Sequence, residues 1–136
     1  MATSEHVSVQ VEYMHPCDYA FIAQNGKPGI IGIFENISAP SFPVQHPMMS
    51  VAVQLRGQAG HIVPVRLVIE AQDGEKVAEI PEQSLTLGSE GGGFLNANLF
   101  GLVFKKAGRY TITVLSQGAV LATQTLKLLK VEARAA

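Results

Sequence analysis

The sequence predicts an all-β protein: an antiparallel sandwich of about eight short strands enclosing an apolar interior. Three observations carry this. Apolar and polar residues alternate with a period of two along most of the 136-residue chain, the pattern of strands with one face buried. Glycine-containing turn signals recur between these runs at the 8–12-residue spacing of sandwiches and barrels. The stretch from Phe104 to Val131 shows both features most clearly. There Tyr110, Ile112 and Val114 alternate with Arg109, Thr111 and Thr113, Ser116-Gln117-Gly118 supplies a turn, and an apolar run returns from Val120 to Val131.

Taken in order, Val7, Val9, Val11 and Tyr13 alternate with Ser8, Gln10 and Glu12, a first strand that His15-Pro16 is expected to end. Cys17 to Ala23 is apolar, and Asn25-Gly26 is a dipeptide that favours primed hairpin turns. Gly29 to Ile37 is the expected partner strand. It is apolar on both sides (Ile31, Ile33 and Ile37; Ile30 and Phe34), which calls for a central position or a covering molecule. Ser38 to Pro47 carries Pro40, Pro43 and Pro47 and reads as a loop crossing between sheets.

Met49, Val51, Val53 and Leu55 then form an inward row, with Ser50, Ala52, Gln54 and Arg56 outward. Val63, Val65, Leu67, Ile69 and Ala71 form the next, with Pro64 pointing to an edge or bulge at that strand's start. Asp73-Gly74 is a second hairpin dipeptide. Lys76 to Ile80 is a short strand stopped by Pro81, and Glu82 to Leu87 is weaker. Gly88 to Gly93 reads as a mobile loop. In Phe94 to Phe104 the apolar parity shifts, from Leu95, Ala97 and Leu99 to Leu102 and Phe104, which a bulge at Gly101 would explain. Ala119 to Lys130 contains good helix formers, but Thr123, Gln124 and Thr125 and the turn before it favour strand. Glu132 to Ala136 reads as a frayed tail of a single domain spanning 1–136.

Gly108-Arg109-Tyr110-Thr111-Ile112 resembles the tyrosine corner of immunoglobulin-like sandwiches. In that motif a Tyr at the start of the penultimate strand bonds back to the upstream backbone, two positions before a core residue. Here the core position is Ile112. The sandwich is therefore expected to be immunoglobulin-like.

Composition narrows the function classes. Net charge is −1, and no basic cluster exceeds Lys105-Lys106, so nucleic acid, which needs a basic face, is not an expected partner. Charged residues make up only 15% against a usual ~25%, which predicts apolar or neutral-polar outer surface and leans towards a protein partner or self-association. The N-terminus lacks the basic and apolar regions of a signal peptide, and no apolar run approaches membrane-helix length. The expectation is a cytoplasmic protein with no membrane contact. The lone Cys17 excludes an internal disulfide. Asn36-Ile37-Ser38 matches a glycosylation sequon, which has no meaning in a cytoplasmic setting.

Candidate chemistry is sparse. His15-Pro16-Cys17-Asp18 groups a thiol, an imidazole and a carboxylate, all zinc-ligand types. A closed site wants four ligands, and His6, His46 and His61 show no paired spacing, so no metal is expected. Cys17 reads instead as a small buried apolar residue, with Asp18 bonding backbone at a strand start. Cys17 with His15 or His46 would make a nucleophile and base, but nothing local supplies an oxyanion site. Ser89-Glu90-Gly91-Gly92-Gly93 is glycine-rich, yet a phosphate cradle wants a helix opening after it, and here a strand follows. Phe42 to Met49 mixes an aromatic, prolines and two methionines. It offers adaptable apolar contacts, or caps one end of the sandwich with Phe42 and Met48. The cap reading is preferred.

Several stretches resemble an uncharacterised bacterial family of small β-sandwich domains of unknown function. They are Cys17-Asp18-Tyr19-Ala20, Gly26-Lys27 leading to Ile31-Gly32-Ile33-Phe34, Pro43 with His46-Pro47, and Leu102-Val103-Phe104 through Gly108-Arg109-Tyr110 to Leu121-Ala122. The resemblance covers most of the chain from Cys17 onward. It implies a small cytoplasmic β-sandwich and transfers no functional residues. The resulting expectation is a non-enzymatic binding or assembly module without cofactor, in its simplest form a homodimer through a sheet face or edge strand. Lys127 and Lys130 would guard the last strand from such pairing. The alternatives are an enzyme whose site is assembled from distant residues and a structural component of a phage or secretion-type assembly.

Overall fold

The structure is a computed structural model that describes residues 8–132. Val7, His6 and the tail beyond Glu132 lie outside the described residues. Nine strands follow one another: β1 (Val9–Ile22), β2 (Pro28–Ile33), β3 (Asn36–Ala39), β4 (Val44–Gly57), β5 (Ile62–Ala71), β6 (Lys76–Thr86), β7 (Gly92–Phe104), β8 (Gly108–Ser116) and β9 (Ala119–Lys130). Among the described residues there is no helix. The helical alternative for Ala119–Lys130 is thereby removed.

Two sheets face each other. One has the order β2-β1-β4-β7, the other β3-β9-β8-β5-β6. Two sheets with β4 next to β7 in one, and β9-β8-β5 adjacent in the other, reproduce the immunoglobulin arrangement of B beside E and G beside F beside C. The inward rows read from sequence meet between the sheets. Met49, Val51, Val53 and Leu55 from β4 pack with Val63, Val65, Leu67 and Ile69 from β5 and Ile112 and Val114 from β8, all fully buried. The tyrosine corner is present. The Tyr110 hydroxyl donates to the Lys106 carbonyl at 2.6 Å, and the ring meets Phe104 edge-on at 5.0 Å.

The turns divide by how many of their residues take positive φ. Gln117 and Gly118 both have positive φ and join Ser116 to Ala119 as a two-residue primed turn. Asn25-Gly26 and Asp73-Gly74 do not make such turns. Only Gly26 and Gly74 have positive φ, and the closing bonds run Ala23 N to Lys27 O and Ala71 N to Glu75 O. Each is a three-residue loop ending in a left-handed glycine, because Asn25 and Asp73 stay in the ordinary region and bond the amide two residues on.

Several sequence expectations need correction. β1 does not end at His15-Pro16. It continues to Ile22: Pro16 keeps its place opposite Val51 in the β4 ladder, and its carbonyl accepts from Phe34 N just past the end of β2. The expected single strand Gly29–Ile37 is two: β2 pairs with β1, and β3 leaves for the other sheet to pair with β9. That β3–β9 pairing is parallel, the exception among antiparallel ladders. The proline-rich stretch is shorter than expected, since β3 runs to Ala39 and β4 begins at Val44, though it does cross between sheets.

β6 continues past Pro81 to Thr86, with its register against β5 shifting at Pro81-Glu82 (Val65↔Gln83, then Leu67↔Ile80), because it is an edge strand, where a missing donor and a bulge are tolerated. Pro64 precedes the part of β5 that pairs with β8, so it too faces no missing ladder partner on that side. The parity of β7 does flip at Gly101, which has positive φ. There is no bulge there. Register is unbroken from His46↔Leu102 to Met48↔Phe100, so Pro47 and Gly101 lie opposite each other and both strands turn over together. Lys127 and Lys130 do not guard a free edge either, because β3 already covers β9 at those positions.

Candidate binding surface

The outer face of the first sheet determines where a partner can sit. Ser50, Ala52 and Gln54 project from β4 on the side away from the main core, beside His15 and Cys17 of β1 and Asn96 and Asn98 of β7. Ser50 and Ala52 are nevertheless fully buried. The reason is β1 itself. Its ladder with β4 stops at Cys17↔Ser50, and the remainder, with β2, folds back across this face. Ala20 O accepts from Asn96 Nδ2 at 3.5 Å. Cys17, Ala20 and Ala52, with Ile30 and Phe94, form a second, smaller apolar cluster between the hairpin and the sheet.

Alternation along the hairpin then fixes what faces outward. Ala20 and Ile30 are turned onto the sandwich, so Tyr19, Phe21 and their cross-strand partners are turned away. Tyr19 pairs with Ile31, and Phe21 with Gly29. The Tyr19 and Phe21 rings stack at 5.6 Å. The Phe21 ring fills the space above Gly29, where a Cβ would lie 2.2 Å from it. Ile33, past Gly32 with its φ of +70°, is the partner of buried Cys17 and so does not extend this alternation, but it too is exposed. Tyr19 is 42% exposed and Ile31 and Ile33 are each 56% exposed. Within residues 18–35 the charges are Asp18 and Glu35 at one end and Lys27 at the hairpin tip.

The chemical candidates fare differently. His15 stacks on Tyr13 at 5.3 Å and shares a face with Cys17. Cys17 is fully buried, and its thiol points at Ser50 O, 3.6 Å away. Burial, and next the nearby Asp18 carboxylate, raise the thiol above its ordinary pKa. That disfavours the thiolate, the form needed for nucleophilic attack or metal ligation. Asp18 is exposed, with its carboxylate over Gly32. His46 meets Phe34 edge-on at 6.1 Å, and His61 sits in the turn before β5. Among the described residues no three His, Cys, Asp or Glu side chains converge in a way that could hold a metal. His6 lies outside them.

The glycine-rich stretch is tied by backbone hydrogen bonds and runs into β7 at Gly92. Gly57 N donates to Gly91 O and Gly88 N to Gly92 O, both at 2.8 Å, and Gly91 N donates to Gly88 O at 3.0 Å. A Cβ on Gly91 would lie 2.1 Å from Gly57 O. Glycine is needed there for backbone contact with β4. The Gly88 and Gly91 amides that a phosphate would require are already used.

A cleft of about 380 Å³ lies between this loop and the hairpin tip, with Gly26 and Pro28 on one side and Gln54, Arg56, Gly92 and Phe94 on the other. Its cation, Arg56, is engaged by Glu12 at 3.0 Å and by Glu90 O at 2.7 Å. The Phe42–Met49 stretch is a cap in part. Phe42 and Val44 pack on the main core and Met49 is fully buried in it. Met48, expected to plug the core with Phe42, instead pairs with exposed Phe100 on β7.

The sequence pointed to this surface only as one of two alternatives, a covering molecule over Gly29–Ile37, and did not name Tyr19 or Phe21 as part of it. Its signal was present: Gly29–Phe34 is apolar on both sides, yet β2 is an edge strand, so a central position cannot explain it.

These features define a class: a small immunoglobulin-like β-sandwich carrying an apolar hairpin on the outside of one sheet. The chain belongs to a family of unknown function, DUF6941, whose model matches residues 12–129. No curated protein matches the sequence. Among solved structures, the chain is similar to the alkylpurine DNA glycosylase AlkC of Pseudomonas fluorescens, with a TM-score of 0.58 and 12% identity over 90% of this chain and 31% of that one. It is also similar to the β-D-glucoside glucohydrolase of Trichoderma reesei, with a TM-score of 0.53 and 12% identity over 90% of this chain and 19% of that one. An immunoglobulin-like protein from Pseudomonas aeruginosa aligns at a TM-score of 0.46 and 12% identity, over 89% of this chain and 96% of that one. The chain thus spans about a third or less of the two enzymes it matches, and at such identity the likeness is one of fold.

Proposed function

We propose that this protein is a non-enzymatic binding module whose contact surface is the outer face of the β1–β2 hairpin. The observation that carries this is the apolar patch of exposed Tyr19, Ile31 and Ile33 beside half-buried Phe21 on an edge hairpin. Single exposed apolar side chains are ordinary. A contiguous, uncharged patch of aromatic and β-branched residues marks an interaction site, and the aromatic content suits the centre of an interface. The same hairpin is anchored on the sandwich by its other face, through Ala20 and Ile30 against Ala52 and Phe94, which orients the contact side chains outward. The protected thiol of Cys17 and the backbone-satisfied glycine loop support a module that binds rather than reacts.

The test is substitution of Ile31 and Ile33 by Lys, one at a time and together. Both side chains are exposed and belong to neither core, so the thermal midpoint should stay within a few degrees of wild type. Capture of partner, or of a second copy, from the native host should be lost. Undiminished capture by the folded double variant would overturn the assignment of this surface.

A further inference from the structure

We infer that the occupant of the hairpin face is a second copy of this chain, docked antiparallel about a two-fold axis; this rests on the proposed binding surface. The argument is the placement of charge around an apolar centre. Asp18 and Glu35 lie at the open end of the hairpin and Lys27 at its tip. Lys27 is six residues from Ile33 along the chain, roughly 20 Å at the rise of a strand. Tyr19, Phe21 and Ile31 lie between the two ends.

In an isologous interface each residue meets, on the other copy, the residue related to it by the axis. An antiparallel two-fold passing near the middle of the hairpin places Lys27 of each copy beside Asp18 and Glu35 of the other. It also places Ile31 and the Tyr19–Phe21 stack of one copy against those of the other. A parallel arrangement would instead set Lys27 against Lys27 and acid against acid, so the charges select one orientation. An unrelated partner would need to present the reverse pattern; a second copy presents it automatically.

The contact is between faces and not along the strand edge. β2 is six residues long, starts at Pro28, which has no N–H, and turns at Gly32 with φ +70°. These devices blunt an edge against strand addition, while leaving the face exposed.

The experiment is sedimentation of the full chain and of two charge variants, Lys27→Glu and Asp18→Lys/Glu35→Lys. Wild type should dimerise. Each variant alone should associate about tenfold or more weakly, because like charges then face each other across the two-fold. An equimolar mixture of the two variants should recover the dimer, since both ends of the mixed interface become complementary again. Circular dichroism of each variant confirms folding. A mixture no stronger than either variant alone would overturn the antiparallel docking. A monomeric wild type that still captures a different protein, with capture lost in Ile31→Lys/Ile33→Lys, would overturn self-association while leaving the binding surface intact. Capture unaffected by Ile31→Lys/Ile33→Lys would overturn both.

Discussion

The phenolic oxygen of Tyr110 donates to the carbonyl oxygen of Lys106 at 2.6 Å and lies 3.4 Å from the amide nitrogen of the same residue. One side chain thereby closes the loop that leads into its own strand. Phe104, at the far side of that loop, packs edge-on against the same ring, so β7, the loop and β8 are tied at a single buried point.

Tyr110→Phe keeps the ring and removes this bond. It should lower stability by about 1 kcal/mol, the net worth of a typical hydrogen bond, with the fold preserved. The check is the midpoint of urea denaturation at unchanged slope. A midpoint equal to wild type would show that the hydroxyl contributes nothing.

Gly26 and Gly91 share a φ of +83° but differ in surroundings. Nothing lies within 4 Å of a Cβ on Gly26, whereas one on Gly91 would strike Gly57 O. Gly26→Ala should cost about 1 kcal/mol for the left-handed backbone alone. Gly91→Ala should cost about 2 kcal/mol or more, since the loop must also separate from β4. Equal losses would mean that the Gly57–Gly91 contact is unimportant.

Cys17→Ser exchanges a buried thiol for a more strongly polar hydroxyl. It should reduce stability by about 1–2 kcal/mol and leave association through the hairpin face unchanged. In the wild type, a thiol reagent should label Cys17 only as fast as the protein opens. Rapid labelling of the native protein, or loss of association in a folded Cys17→Ser variant, would count against the inert role.

Asp73 and Glu79 have lowered pKa values. For Asp73 the largest cause is the hydrogen bond from the Glu75 amide, followed by Lys106; for Glu79 it is the Lys76 ammonium, followed by Arg66. A carboxyl that is more acidic folded than unfolded takes up its proton more readily in the unfolded chain. Its contribution is therefore complete above the unfolded pKa and disappears as pH falls through the folded one. With unfolded values near 4, both contributions should hold through neutral pH and fade below about pH 4. Asp73→Asn and Glu79→Gln should be less stable than wild type at pH 7, and the gap should close on acidification. Thermal midpoints across pH 2–7 would check this, and a gap constant with pH would contradict it.

Much of the sandwich was legible because its core follows strict alternation. Met49 to Leu55, Val63 to Ile69 and Tyr110 to Val114 each expose one parity to the opposite sheet, and period two is sufficient to place them. Turn chemistry was legible only down to the dipeptide. Asn25-Gly26 and Gln117-Gly118 both announce a turn, but whether the first residue also enters positive φ depends on the strands it joins. Proline misled at Pro81 because β6 proves to be an edge strand, a property of sheet order, and at Pro16 because the neighbouring β2 ends at Ile33, beside Cys17, a property of where the partner strand stops. The hairpin face was half legible. Ile30, Ile31 and Ile33 declared a strand apolar on both sides, but which side meets the sandwich is decided by a fold-back at Cys17 that no local pattern encodes.

That fold-back gives the molecule two unequal tiers of cohesion. The hairpin is attached through three wholly enclosed side chains, Cys17, Ala20 and Ala52, whereas the sheets are joined by the whole of the large interior. Detaching the upper tier exposes far less oily area than parting the lower one, so amide protons of residues 18–33 should exchange with deuterium well before those of β4 and β5. Anything that settles on the hairpin from outside would slow that early exchange, even at a distance from every atom it touches.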